Sequence, residues 1–269
     1  MTTEGVPARS GYAPVNGLAM YYEVHGAGRP LVLLHGAFSA IPTSFGALLP
    51  GLAATRQVIG TELQAHGRTA DIDRPLRVEH LADDVAGLLD HLEIAEADVF
   101  GYSTGAAVAI HLAIRHPTRV RKLVLTSIAI NKGGFHPGFV DNMSEMQPEM
   151  LYGSTFHDEY LELAPDPDHF PVMFDKKQDM DRHVRDFTAD EIRDITAPAL
   201  IIAGDSDIFR LEHTVEIFRL FGGGVAGDIV GLPDSQLAVI PGATHVTVVH
   251  QVDQLLAAIP RFLDAESAQ

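Results

Sequence analysis

Five residues, Gly101-Tyr102-Ser103-Thr104-Gly105, stand between a short apolar run, Ala97 to Phe100, and a small-residue-rich stretch with helical spacing, Ser103 to Arg115. A strand that passes through one sharp turn straight into a helix belongs to a parallel sheet covered by crossover helices, so this junction constrains the fold more than any other segment. The residue at the apex of such a turn has strained backbone angles, and only small neighbours let strand and helix approach each other. Gly101, Gly105 and Ala106 supply that room. The strain lifts the Ser103 hydroxyl out of the sheet and leaves the Thr104 amide, at a helix N-terminus, facing the same space. The pentapeptide is also met by a serine that merely caps its helix, so partners elsewhere decide between the two.

The rest of the chain repeats the same alternation. Leu18 to Val24 alternates as a hairpin strand, Leu31 to Leu34 is continuously apolar, and Gln57 to Ile59 opens another short run. Val78 to Leu92 sets Leu81, Val85, Leu88, Leu89 and Leu92 at helical spacing, with Asp83, Asp84 and Asp90 off that stripe. Further strands are predicted at Lys122 to Thr126, Ala199 to Ala203 and Gln236 to Ile240, and helices near Leu211 to Phe221 and Gln251 to Leu263. The rhythm lapses from Asn131 to about Asp194. The expected organisation is one α/β core, residues 1–130 and 195–269, with a helical lid at residues 131–194.

The chain carries 19 Lys and Arg against 36 Asp and Glu, a net charge of −17 that repels phosphate backbones and anionic membranes, so neither is an expected partner. It has no cysteine, which rules out disulfides, a thiolate nucleophile and cysteine-ligated metal. Met1 to Val15 holds one arginine and no apolar core, so a soluble, cytoplasmic protein is expected. A homodimer stays open.

A serine hydroxyl is a weak nucleophile near neutral pH and needs a histidine base oriented by a carboxylate. Of fourteen histidines, His245 has the best placed context: it follows Pro241-Gly242-Ala243-Thr244 after a predicted strand and precedes the last helix. Asp207 and Asp205 both lie in Gly204-Asp205-Ser206-Asp207, just past the strand Ala199 to Ala203, and either can cap a helix or orient an imidazole. After Leu31 to Leu34, the loop His35-Gly36-Ala37-Phe38 can present a backbone amide to an oxyanion, with Ala37 the first choice of donor and Phe38 the second or a pocket wall. His111 and His116, like His245 and His250, are five apart and share no helix face, and there is no H-E-x-x-H, so no metal is expected.

These segments, in this order, resemble the α/β-hydrolase superfamily over nearly the whole chain, particularly its lidded esterase, lactonase and perhydrolase-like branch. Tyr21-Tyr22-Glu23-Val24-His25-Gly26, His66-Gly67-Arg68-Thr69 and Arg115-His116-Pro117-Thr118-Arg119-Val120 add to the likeness. The resemblance implies an eight-stranded, mostly parallel sheet flanked by helices. It also implies an acid three residues after a glycine, which selects Asp207, and the chain order Ser, Asp, His. The chain departs from the family pattern at Ala65, Ala106 and Thr244, where glycines are common.

The expected chemistry is acyl transfer to water without a cofactor: Ser103 attacks, His245 moves the proton, Asp207 orients the imidazole, and the Ala37 and Thr104 amides hold the oxyanion. The substrate expected is a small apolar ester or lactone, bound by Phe38 and by lid residues including Phe139 and Met143. A perhydrolase or carbon–carbon bond hydrolase on the same triad, a slow-turnover receptor and an interaction scaffold are the competing readings.

Overall fold

The computed structural model describes residues 8–266. Its eight strands are β1 (Arg9–Val15), β2 (Leu18–His25), β3 (Arg29–Leu34), β4 (Arg56–Thr61), β5 (Ala97–Tyr102), β6 (Val120–Thr126), β7 (Ala199–Ser206) and β8 (Gln236–Thr244). They form one sheet in the order β1-β2-β4-β3-β5-β6-β7-β8. β2 runs antiparallel to both neighbours, and every other pairing is parallel. The strand β1 is absent from the sequence reading, although Asn16-Gly17 is a strong hairpin signal. Both residues take the left-handed conformation, φ +48° and +82°, that a two-residue turn between β1 and β2 requires.

The helices are α1 (Ile41–Phe45), α2 (Leu49–Ala53), α3 (Val78–His91), α4 (Thr104–Arg115), α5 (Phe139–Ser144), α6 (Thr155–Leu163), α7 (Phe170–His183), α8 (Ala189–Arg193), α9 (Leu211–Leu220), α10 (Gly227–Val230) and α11 (Val252–Asp264). Alternation along the central strands divides the core between the two sheet faces. Val32, Leu34, Val99 and Leu125 pack with Leu81, Val85, Val108 and Leu112 of α3 and α4. Leu31, Leu33, Phe100 and Val124 pack with Leu52, Leu255, Ile259 and Phe262 of α2 and α11. Full burial of each such side chain contributes about 1.5–3 kcal/mol, and doing so on both faces fixes the central strands against sliding.

One helical expectation is corrected. Asp84, placed off the apolar stripe of α3, is fully buried, pairs with Arg74 at 2.5 Å and accepts from the Asn16 side-chain amide at 2.9 Å. A charge lies in the core here because two donors from distant loops meet it.

Between β6 and β7 the chain leaves the sheet and passes through α5 to α8. This insertion packs on the core through Tyr160, Phe170 and Met173, which form a cluster with Ala65, and through Phe187 and Ile192, which join the α3–α4 face. Among the described residues no helix is long and apolar enough to cross a membrane.

Candidate active site

β5 ends at Tyr102, and the chain turns at Ser103 with φ +54° and ψ −117° before entering α4. The glycines are there for contact reasons. A Cβ on Gly101 would lie 2.3 Å from the Gly105 carbonyl oxygen, and one on Gly105 would lie 2.0 Å from that of Leu34. The Ser103 amide donates to the Thr126 carbonyl at 2.9 Å, which occupies it and holds the strained turn to β6. The Thr104 amide is one of the first in α4, which a helix leaves without an internal acceptor.

Ser103, His245 and Asp207 form one hydrogen-bonded row. Ser103 Oγ lies 2.9 Å from His245 Nε2, and His245 Nδ1 lies 2.9 Å from Asp207 Oδ1. Ser103 and His245 are half-buried, whereas Asp207 is buried. Burial pushes the Asp207 carboxyl up, but the hydrogen bonds and charge of His245, the Ser127 hydroxyl and the Phe209 amide outweigh it and hold the group below its usual range. An ionised Asp207 fixes the tautomer with the proton on Nδ1, leaving Nε2 free to accept the serine proton.

Asp205 has a different place. Both its oxygens accept from the Gly242 amide at 3.0 Å, where φ is +69°, so it closes the turn that leads to His245. Tyr102 supports the same loop, its hydroxyl donating to the His245 carbonyl at 2.9 Å.

The loop after β3 runs beside the nucleophile because Leu34 and Gly101 are paired in the parallel sheet. A Cβ on Gly36 would lie 3.5 Å from Ser103 Cβ and 2.8 Å from the Tyr102 ring, so only glycine allows this approach. The Gly36 carbonyl is held by the Ser39 hydroxyl at 3.0 Å and by His35 Nδ1 at 2.8 Å. His35 Nε2 accepts from the Leu63 amide at 3.0 Å, which leaves its proton on Nδ1, and burial lowers its pKa to about 3, so the ring is neutral. Carbonyl and amide of a trans peptide point in opposite directions, so His35 and Ser39 together set the direction of the Ala37 N–H. Sequence reasoning gave neither a role: His35 entered only as part of the loop His35-Gly36-Ala37-Phe38, and Ser39 lay just beyond it.

Of the remaining candidates, Phe38 is half-buried, has φ +59° and stacks on Phe174 of α7 at 5.3 Å. Phe139 stacks on Phe135 at 5.5 Å; Phe135 meets Phe209 at 4.8 Å, and Phe209 meets the His245 ring at 5.4 Å. Met143, one turn beyond Phe139 on α5, is half-buried, and among the described contacts none links it to this aromatic row. A cleft of about 380 Å³ opens beside the histidine loop, lined by Pro42, Thr43, Ser44, Phe156, Val246 and His250 among others. Among the described residues no cluster of His, Asp or Glu is arranged to hold a metal ion.

Residues 29–188 match the alpha/beta hydrolase fold family, and the chain belongs to it. It is 32% identical to a 2-hydroxymuconate semialdehyde hydrolase of Pseudomonas sp. strain CF600 over 53% of this chain, and it spans only 61% of that protein's length. It is 29% identical to a 2-hydroxy-6-oxo-2,4-heptadienoate hydrolase of Pseudomonas putida strain F1, covering 90% of this chain and 91% of that one. The solved 2-hydroxy-6-oxo-6-phenylhexa-2,4-dienoate hydrolase of Rhodococcus sp. strain RHA1 superimposes with a TM-score of 0.76 over 96% of this chain and 99% of that chain, at 17% identity. The last is a likeness of fold.

Proposed function

We propose that the protein is a serine hydrolase that cleaves a small apolar carboxylic ester or lactone through an acyl-serine intermediate. The observation that carries this reading is the row from Ser103 Oγ through His245 to Asp207, with both spacings at 2.9 Å. His245 Nε2 takes the hydroxyl proton as Ser103 Oγ bonds to the substrate carbonyl carbon, and the carbonyl oxygen becomes an oxyanion facing the Ala37 and Thr104 amides. The tetrahedral species collapses by breaking the bond to the leaving oxygen, which takes the proton from His245. Water, deprotonated by the same histidine, then attacks the acyl-serine and returns the free serine and the carboxylic acid. The insertion between β6 and β7 acts as the lid, and Phe38, Phe174 and the Phe135–Phe209 pair give the acyl group an apolar wall.

A second reading is hydrolysis of a carbon–carbon bond next to a ketone, favoured by the activities named for the two Pseudomonas relatives. The same serine attack applies, with a carbanion rather than an alkoxide as the leaving group. Purified protein is to be assayed against short-chain aryl esters, small lactones and a 2-hydroxy-6-oxo-dienoate, with Ser103→Ala as control. A kcat/KM for the best ester or lactone above that for the dienoate, abolished by Ser103→Ala, is the expected result. A dienoate preferred by tenfold or more replaces the first reading with the second, and turnover that survives Ser103→Ala overturns both.

A further inference from the structure

We infer that Glu159, on α6 of the insertion, is a positioning residue that holds the Ala37 amide in line with Ser103. The inference rests on the serine-hydrolase reading. Glu159 is 8% exposed, and its two oxygens accept from two backbone amides of the loop after β3: Oε2 from Ala40 and Oε1 from Thr43, each at 2.7 Å. Those amides open α1, where a helix leaves its first donors unpaired, and Ala40 at the cap position has no side chain that can accept from them. A carboxylate 119 residues further along the chain does so instead.

Several observations connect this contact to the oxyanion amide. Ala40 is three residues from Ala37, and the Ser39 hydroxyl bonds to both the Gly36 carbonyl and Ser44 Oγ, at 3.0 and 2.8 Å, so the intervening loop is cross-linked rather than slack. Phe38 sits in the left-handed region at φ +59°, a conformation that persists in a non-glycine residue only where the surroundings over-determine it. Two of the contacts that do so come from the insertion: the Phe174 ring against Phe38 at 5.3 Å and Glu159 against Ala40. Burial pushes the Glu159 carboxyl up, and the Thr43 hydroxyl, the Thr43 and Ala40 amides and the more distant charge of Arg68 act against that, so the loop after β3 supplies most of what steadies it. The insertion therefore does more than cover the site; through Glu159 it fixes one wall of the oxyanion hole.

Glu159→Gln tests this, because glutamine keeps the shape but offers only one acceptor and turns an NH2 toward the second amide. Steady-state kinetics on the best ester are compared with the affinity for an aryl trifluoromethyl ketone, whose serine adduct carries an oxyanion. Expected are a kcat lower by about tenfold to hundredfold, KM within about twofold, and ketone affinity weakened by a similar factor to kcat. Should Glu159→Gln not fold, Glu159→Asp, with both acceptors on a shorter arm, carries the same expectations. A variant with lowered Tm but unchanged kcat, or one in which only KM rises, reduces Glu159 to a structural cap and overturns the inference alone. A parent whose ester turnover is absent, or unaffected by Ser103→Ala, overturns the serine reading and this inference together.

Discussion

Ser127 donates its hydroxyl to Asp207 Oδ2 at 2.5 Å, on the far side of the carboxylate from His245. Ser127 is fully buried just past β6, has φ +55°, and its own amide is held by the Ile202 carbonyl at 2.8 Å. The carboxylate is thus gripped from both ends, and the imidazole it orients has one resting position. Replacing Ser127 with Ala removes the grip and part of what keeps Asp207 ionised. The expected result is a kcat about three- to tenfold lower with KM unchanged, measured on an aryl ester. An unchanged kcat would mean that His245 and the Phe209 amide suffice.

The two aspartates of the β7 loop separate by kind of damage. Asp207→Asn is expected to lower kcat by about 10⁴, because an amide opposite Nδ1 favours the wrong imidazole tautomer. Asp205→Asn weakens the bond to the Gly242 amide at the turn before His245, so its cost is a Tm lower by a few degrees with activity retained within about fivefold. Thermal melts and kinetics on both variants decide it; the reverse pattern would exchange their roles.

What the sequence could show follows the range of the interactions. The strand-turn-helix at Ser103 and the loops bearing Asp207 and His245 are local patterns, each punctuated by Gly or Pro, and were legible for that reason. Val15-Asn16-Gly17-Leu18 is equally local and marks the turn between β1 and β2. Glu159 and Ser127 were not legible: one acts across 119 residues and the other through a rotamer at a strand end, and neither has a periodic or motif signature. Asp84 misleads in the opposite direction, since a helical stripe cannot show that Asn16 and Arg74 will meet it.

Ser39→Ala tests whether the direction of one peptide plane matters. The Gly36 carbonyl would keep His35 Nδ1 but lose the second donor, and Ser44 Oγ would lose its 2.8 Å partner, keeping only the Gly36 amide at 3.4 Å. A peptide plane held from one side turns more freely, and the Ala37 amide turns with it. We expect kcat to fall about tenfold, short of the roughly 10²–10³ for losing an oxyanion donor outright, with fluorophosphonate labelling slowed in proportion. Labelling at the parent rate would separate the Ala37 amide from the chemistry.

Stability against pH is set partly by three buried groups under the same loops. Burial lowers His35 and His66 to about 3 and about 4, and raises Glu62 to about 7 despite the hydrogen bonds and charge of Arg68. Both histidines are neutral when folded and take up a proton on unfolding below about pH 6.5. Their contribution is full above that value and is lost as pH falls toward their folded values. Glu62 acts with the opposite sign: its contribution is full below about pH 4.5 and is lost as pH rises through about 7. Between pH 7 and 5 Glu62 offsets roughly one of the two histidines, so the parent is expected to lose about 1–2 kcal/mol there and to go on losing stability toward about pH 4, where His66 begins to protonate in the folded state. Glu62→Gln removes the offset and steepens the loss between pH 7 and 5 by about 2 kcal/mol, while His66→Gln flattens it. Urea midpoints at pH 7, 6 and 5 read all three proteins, and parallel curves would remove these groups from the account of acid stability.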